Sequence, residues 1–325
     1  MEKIKFGILA TGNIANSMAQ AAGQLAQVEC YAAASRELVR AEAFAEKWGF
    51  RKAYGSYEEL VQDPEVELIY VASPHSHHYS HAKLCLEHGK HVLLEKAFTV
   101  NGTQAKELIA LAREKGLLLA EAFWPRYMPS RKMIDDLIAQ GAIGAVRSVA
   151  ADFGFPLTHV RRMYDPNLAG GALLDLGVYP INFALQIFTE DIVAVQSNAV
   201  MSPEGVDWMN GITLNFAGGK MAVLHSNMTT CMANRGIIYG EKGYIEMGEL
   251  NNCSEIRVYG ADKKMISCHK VPEQINGYEY ELLACVEAVR QGKVECDAMP
   301  HSETMRLMDI LDTVRKQWNF KLPCE

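Results

Sequence analysis

Apolar residues follow two different rhythms along this chain. Up to about residue 120, short apolar runs alternate with longer stretches in which apolar side chains recur every three or four positions. Residues 4–10 are the first such run and end at Thr11-Gly12-Asn13; residues 14–27 then carry small and apolar side chains at helical spacing, which predicts strand, tight turn and helix. Residues 28–34, 68–72, 91–94 and 117–120 predict further strands, with helices at 37–48, 77–87 and 103–115 between them. Such alternation requires right-handed crossovers and yields a parallel sheet covered on both faces. Residues 1–122 are therefore expected to form a doubly wound α/β domain.

The rhythm then changes. After a helix at 133–140, residues 146–153, 193–200, 210–216, 220–228 and 235–239 read as strands, and Gly218-Gly219 and Glu241-Lys242-Gly243 sit between them as hairpin signals. Residues 123–325 are expected to form an α+β domain with a large open, mostly antiparallel sheet, one face covered by helices at 279–291 and 303–316. A single boundary near Phe123 is expected between the two domains.

Composition narrows the class. With 325 residues, 49% hydrophobic and 22% charged, the chain has the balance of a folded globular protein. Its net charge of −7 gives no general basic field for a phosphate backbone, so no nucleic-acid partner is expected. Eight scattered cysteines without a Cys-x-x-Cys pair read as reduced, mostly buried thiols rather than a zinc or redox motif. No signal-peptide core is visible at the N-terminus, and no apolar run is read as approaching the roughly 18 residues of a membrane helix. A cytoplasmic location away from membranes is the expectation.

Five segments carry candidate chemistry. Ala10, Thr11, Gly12, Asn13 and Ile14 follow the first strand and open the first helix. Gly12 lets the backbone approach a pyrophosphate while amides at the helix N-terminus receive its charge. Ser35-Arg36 ends the second strand where a carboxylate would hold an NAD ribose, so a 2′-phosphate and NADP are favoured, although Glu37 is near enough to serve NAD. Ser73-Pro74-His75 and His78 lie at the carboxyl edge of the third strand; a metal site there lacks supporting ligands, and none is expected. Glu95-Lys96 ends the fourth strand, where the Lys96 charge would polarise an alcohol or carbonyl oxygen, although an exposed turn lysine fits the local sequence equally. Asp175 and Tyr179 fall four apart after Gly170-Gly171; a tyrosine near a lysine can exchange a proton, but a buried capping aspartate with a packed tyrosine would look the same.

These segments, with Gly89 to Lys96 and Glu121 to Pro129, occur in an order that resembles the Gfo/Idh/MocA oxidoreductases, the glucose-fructose oxidoreductase and inositol dehydrogenase family, over nearly the whole chain. The aromatic stretch Phe123 to Tyr127 and the Asp175-x-Gly-x-Tyr179 ending look most like its dimeric dihydrodiol dehydrogenase branch. The resemblance implies a Rossmann domain followed by an open-sheet domain whose bare face forms a homodimer. It further implies Lys96 and Tyr179 as catalytic residues, Asp175 holding substrate hydroxyls, Trp124, Arg126 and Phe153 lining the pocket, and Arg162 as a recurrent arginine. Two departures matter. The family's Glu-Lys-Pro is here Glu95-Lys96-Ala97, without proline's tolerance of a cis bond, and Ala10 replaces a glycine, which suits only a negative φ.

The expected activity is NADP-dependent hydride transfer between a secondary alcohol and its ketone on a sugar-like or cyclic diol substrate, with NAD as a possible cofactor. A sugar ketone or aldehyde reductase of the anhydrofructose type would use the same residues, whereas a silent NADP-binding sensor would need neither Lys96 nor Tyr179.

Overall fold

A computed structural model describes residues 2–325. The chain divides into two compact units, Met1–Tyr127 with Gln274–Met305, and Met128–Glu273 with Arg306–Glu325.

In the first unit the elements run β1 (Ile4–Leu9), α1 (Asn13–Ala22), β2 (Val28–Ala34), α2 (Leu38–Trp48), β3 (Lys52–Tyr54), α3 (Tyr57–Gln62), β4 (Leu68–Val71), α4 (His78–Glu87), β5 (His91–Glu95), α5 (Gly102–Lys115) and β6 (Leu119–Ala122). All the pairings are parallel, in the order β3-β2-β1-β4-β5-β6. The direction of winding reverses between β1 and β4, so the carboxyl ends of these two strands form the switch point where open α/β sheets bind ligands. Burial on both faces explains why β4 reads as an unbroken apolar run. The expected strands and helices form, but β3 and α3 went unread because a three-residue, part-exposed strand offers no periodicity to detect. Helix α1 stops at Ala22, short of the expected residue 27, as the chain turns at Gly23.

The core of this unit joins Phe6, Ile8, Tyr70 and Leu93 of the sheet to Met18 and Ala19 of α1. It also takes Leu282, Cys285, Val286 and Ala288 from α9 (Tyr278–Arg290). The first segment of this unit ends at Tyr127, close to the boundary expected near Phe123, but residues 274–305 return to the unit, so the helix expected at 279–291 completes the first core instead of covering the second sheet. Its apolar stripe was legible; the sheet it serves was not.

The second unit contains α6 (Pro129–Ala139), β7 (Val146–Gly154), the single turn α7 (Arg161–Tyr164), α8 (Val178–Ile187), then β8 (Ile192–Met201), β9 (Asp207–Phe216), β10 (Lys220–Asn227), β11 (Gly236–Gly240), β12 (Gly243–Met247), β13 (Glu255–Gly260) and β14 (Met265–Lys270). The eight strands lie in the order β14-β13-β12-β11-β7-β10-β9-β8, antiparallel except where β7 runs parallel to β10. Strands β12 to β14 were not read from the sequence, although Ile256 and Val258 alternate with polar partners. On one face Val149, Ala222, Leu224 and Ile238 are buried; on the other Met221, Val223 and Tyr239 are exposed. Helix α10 (His301–Gln317) begins in the first unit and continues into the second from Arg306, whose guanidinium donates to the carbonyls of Phe188 and Glu190.

One stretch, Pro166–Ile187, is long and apolar enough to cross a membrane by length and composition, contrary to the expectation that no run approaches that size. It is 94% buried inside the protein, so its apolarity is that of a core helix. All eight cysteines are free; Cys85, Cys253, Cys285 and Cys296 are buried, whereas Cys231 and Cys268 are exposed.

Candidate active site

The turn from β1 to α1 is built on Ala10, whose φ is +77°, against the negative value expected. A left-handed conformation costs an L-residue roughly 1–2 kcal/mol. The Ala10 N–H donates to the Ala34 carbonyl at 3.0 Å, fixing the turn to the end of β2. Gly12 has φ −78°, open to any residue, so its lack of a side chain serves space rather than backbone shape. A Cβ added there meets nothing within 4 Å, and no side chain of Gly12 can cap α1. Thr11, Gly12, Asn13 and Ile14 thus present an uncapped helix start above an open backbone, the arrangement that accepts a pyrophosphate.

At the end of β2, Ser35 is buried and Arg36 exposed. No carboxylate pairs with Arg36 among the described residues, and Glu37 is taken by Arg40 at 3.1 Å. The Arg36 charge adds to burial in lowering the pKa of His77, and His81 is pushed down to about 4 by burial and then by His77, His78 and Arg36. A cation held beside neutral imidazoles is suited to a phosphate.

Beyond β4, Ser73 and His75 are buried, Pro74 precedes a single turn, and His78 opens α4. His78 was expected at the cofactor. It is buried, with Nδ1 2.7 Å from the Ala97 carbonyl and Nε2 2.8 Å from the Ser73 carbonyl, so the ring lies between the loop after β4 and the loop after β5 and its single N–H donates to one of the two. Burial pushes its pKa down to about 4. The Lys96–Ala97 peptide is cis even without proline. Lys96 is half-buried, and its N–H donates to Glu95 Oε2 at 3.1 Å, while the hydroxyl of Tyr70 donates to the other Glu95 oxygen.

Two further buried carboxyls in this unit escaped the sequence reading. Glu281 of α9 has no hydrogen-bond partner on either oxygen among the described residues, and burial, then the charge of Glu95, raises its pKa well above the usual range. Glu121 of β6 accepts from the Thr304 hydroxyl at 2.7 Å, and burial raises it to about 7. A glutamate inside an apolar strand was the available signal for the second.

Trp124, just after β6, stacks on Tyr278 with ring centroids 4.6 Å apart and planes 11° from parallel. Arg126, expected to line a substrate pocket, is buried and paired with Glu303 at 2.8 Å. That commitment makes it a tie between the end of the β6 loop and the start of α10.

In the second unit Asp175 is buried and pairs with Arg162 at 2.8 Å. It lies in a wide π-type turn, Leu173–Gly177, that leads directly into α8, whose first turn carries Tyr179. Phe153 of β7 packs its ring 4.6 Å from that of Tyr179. Arg162 with Asp175 and Phe153 with Tyr179 are thus two contacting pairs in this unit. No group of three His, Cys, Asp or Glu side chains suited to a metal ion occurs among the described residues.

Comparison with known proteins matches residues 4–123 to an oxidoreductase family with an NAD-binding Rossmann fold and residues 132–246 to the GFO/IDH/MocA C-terminal domain. Trans-1,2-dihydrobenzene-1,2-diol dehydrogenases of Mus musculus and Homo sapiens are each 35% identical to this chain, the alignment covering 98% of both sequences. A solved 3-ketoreductase from Actinomadura kijaniata in complex with NADP and TDP-benzene is 28% identical, with a TM-score of 0.88 over 97% of this chain and 98% of that one. An aldose-aldose oxidoreductase from Caulobacter crescentus shares the fold at 21% identity, with a TM-score of 0.87 over 97% of each chain.

Glu121 gives a signed pH dependence. Its folded pKa, about 7, exceeds the unfolded value, so its contribution to stability is complete below about pH 4.5 and is lost as pH rises through 7. Relative to Glu121→Gln, the wild type should lose up to about 1.4 kcal/mol per pH unit across that window. Urea unfolding of both proteins at several pH values checks this; parallel stability curves would count against a buried, titrating Glu121.

Proposed function

The chain belongs to the GFO/IDH/MocA oxidoreductase family, and we propose that it is an NADP-dependent enzyme interconverting a secondary alcohol and its ketone on a cyclic diol or sugar-like substrate. The observation that carries this reading is the open backbone at Gly12, ahead of an uncapped α1, beside an Arg36 that no carboxylate neutralises. The diol dehydrogenases at 35% identity over nearly their full length support the diol, and the NADP complex of the 28% identical ketoreductase supports the cofactor. A sugar ketone substrate would use the same residues.

The residues present fit such a cofactor, which when bound supplies the hydride acceptor of the oxidation. Amides of Thr11 to Ile14 would receive its pyrophosphate, and Ser35 with Arg36 its 2′-phosphate, a dianion that a guanidinium binds in bidentate fashion. Ser73, Pro74, His75 and Glu95 edge the same sheet end. On the substrate side, we assign Asp175, paired with Arg162, to accept hydrogen bonds from the hydroxyls, and Phe153 and Trp124 to give apolar walls. Tyr179, as the phenolate, would take the hydroxyl proton while the carbinol hydride passes to the oxidised nicotinamide, and the charge of Lys96 would stabilise the oxygen as negative charge develops there.

The exposed face of the second sheet supports a homodimer. Cross-strand neighbours Met221, Ser148, Tyr239, Tyr244 and Tyr259 form one row across five strands, with Tyr244 and Tyr259 stacked at 4.6 Å. Val223, Ala150 and Ile237 lie in the adjacent row. A second copy burying this apolar row would remove it from water. Sedimentation velocity at micromolar concentration should give twice the chain mass, and Val223→Lys should halve it; a wild-type monomer overturns the assignment.

Titrating NADPH and NADH separately, with nicotinamide fluorescence as readout, tests the cofactor. NADPH should bind at least about 10-fold tighter, a difference of one charge-assisted contact; equal or NADH-favoured binding removes Arg36 from the phosphate, and binding of neither sinks the dehydrogenase reading. Gly12→Ala should unfold at the wild-type temperature yet weaken NADPH by about 10-fold or more, because its methyl group occupies only the space the cofactor needs. Tyr179→Phe should lower turnover of trans-1,2-dihydrobenzene-1,2-diol by about 10² while leaving NADPH affinity unchanged; near-normal turnover would show that another group handles the proton.

A further inference from the structure

We propose that Asp207, at the head of β9, is a positioning residue for the substrate side of the reaction, acting through the turn that carries Asp175 and Tyr179. The proposal rests on the reading of those two residues as substrate-facing. Asp207 Oδ2 accepts the Leu173 N–H at 2.8 Å and the Asn210 Nδ2–H at 2.9 Å. Asn210 Oδ1 accepts in turn from the Ser226 hydroxyl at 2.9 Å, and all three side chains are buried. The chain Ser226 to Asn210 to Asp207 therefore ends on a carboxylate with each donor aimed toward it.

This platform fits tightly beneath residues 171–177. Gly171 has φ +117°, and a Cβ there would collide with Asp207 Oδ1. A Cβ on Gly177 would stand 3.1 Å from Ser226 Oγ. Both ends of the π-type turn Leu173–Gly177 are thus seated on the same polar row: Asp207 holds its first amide and Ser226 abuts its last residue. A π turn is rare and is frequently found at functional sites. With both ends fixed, the direction of Asp175 between them is fixed, and so is the start of α8 with Tyr179.

The platform also responds to pH. Burial raises Asp207 to about 7, opposed by the Asn210 and Leu173 donors and by the charge of Arg315 on α10, which itself pairs with Asp312 and Glu325. Protonation makes the carboxyl a weaker acceptor for both N–H groups, so the turn loosens as pH falls through 7.

The test measures KM for trans-1,2-dihydrobenzene-1,2-diol between pH 6 and 8, with NADPH affinity as control. In the wild type KM should be about 5-fold or more higher at pH 6 than at pH 8, the size expected when a hydrogen-bonded carboxylate is neutralised. Asp207→Asn, which removes the titration and keeps an acceptor, should make KM flat across this range without altering NADPH affinity. Asn210→Ala keeps the carboxylate and removes one donor, so the inflection should move to higher pH; this variant decides the question if Asp207→Asn does not fold. A wild-type KM profile in Asp207→Asn, or an unmoved inflection in Asn210→Ala, overturns the proposal. Asp175→Asn separates the two readings: if it leaves KM unchanged, the substrate-side assignment itself fails, whereas a raised KM with an unaltered Asp207→Asn profile removes Asp207 alone.

Discussion

A carboxylate taken out of water must be met by a proton or by donors, and this protein takes several out of water around its candidate site. Glu95 is met by the Tyr70 hydroxyl and the Lys96 amide, Asp207 by Asn210 and the Leu173 amide, and Asp175 by the Arg162 guanidinium. Each solution uses backbone or side chains from a neighbouring element, so satisfying the charge also fixes the geometry of the loop involved. Glu121, Glu281 and, despite its two donors, Asp207 are answered less completely, and their raised pKa values express that shortfall as a preference for the neutral form.

Much of the fold was legible because burial on two faces leaves a plain trace. Short apolar runs such as residues 68–71 and 92–94, alternating with helical stretches, point to a covered parallel sheet, and the helices between them follow from connectivity. Short or part-exposed strands such as Lys52–Tyr54 leave no such trace. The destination of a helix is harder still: α9 shows an apolar stripe, but nothing local says which sheet receives it, since that depends on residues more than a hundred positions away.

The candidate site divides along the same line. Gly12, Arg36, Lys96, Asp175 and Tyr179 were visible because turn position and residue type restrict what they can do. His78 and Arg126 were singled out by residue type alone, while their partners in the fold, the Ala97 and Ser73 carbonyls and Glu303, are set by tertiary structure. Asp207 went unnoticed for the converse reason: an isolated aspartate at a strand head looks like a surface residue until the turn above it is placed. The alanine at position 10 shows that the glycine rule describes a cost rather than a prohibition, since a backbone bond to Ala34 holds the left-handed turn in place.

Because α9 supplies Leu282, Cys285 and Val286 to the first core, the nucleotide-binding unit is not finished when its last strand has been made. On the ribosome, its six strands emerge well before residues 274–305, and at roughly 5–20 residues per second the wait lasts about 7 to 30 s. Throughout that interval one apolar side of the sheet lacks its final cover, so the nascent chain is exposed to chaperone capture until the second sheet has been synthesised. Order of synthesis and order of completion are therefore reversed, and a chain severed after its first 122 residues would behave as a folding intermediate rather than as an independent module.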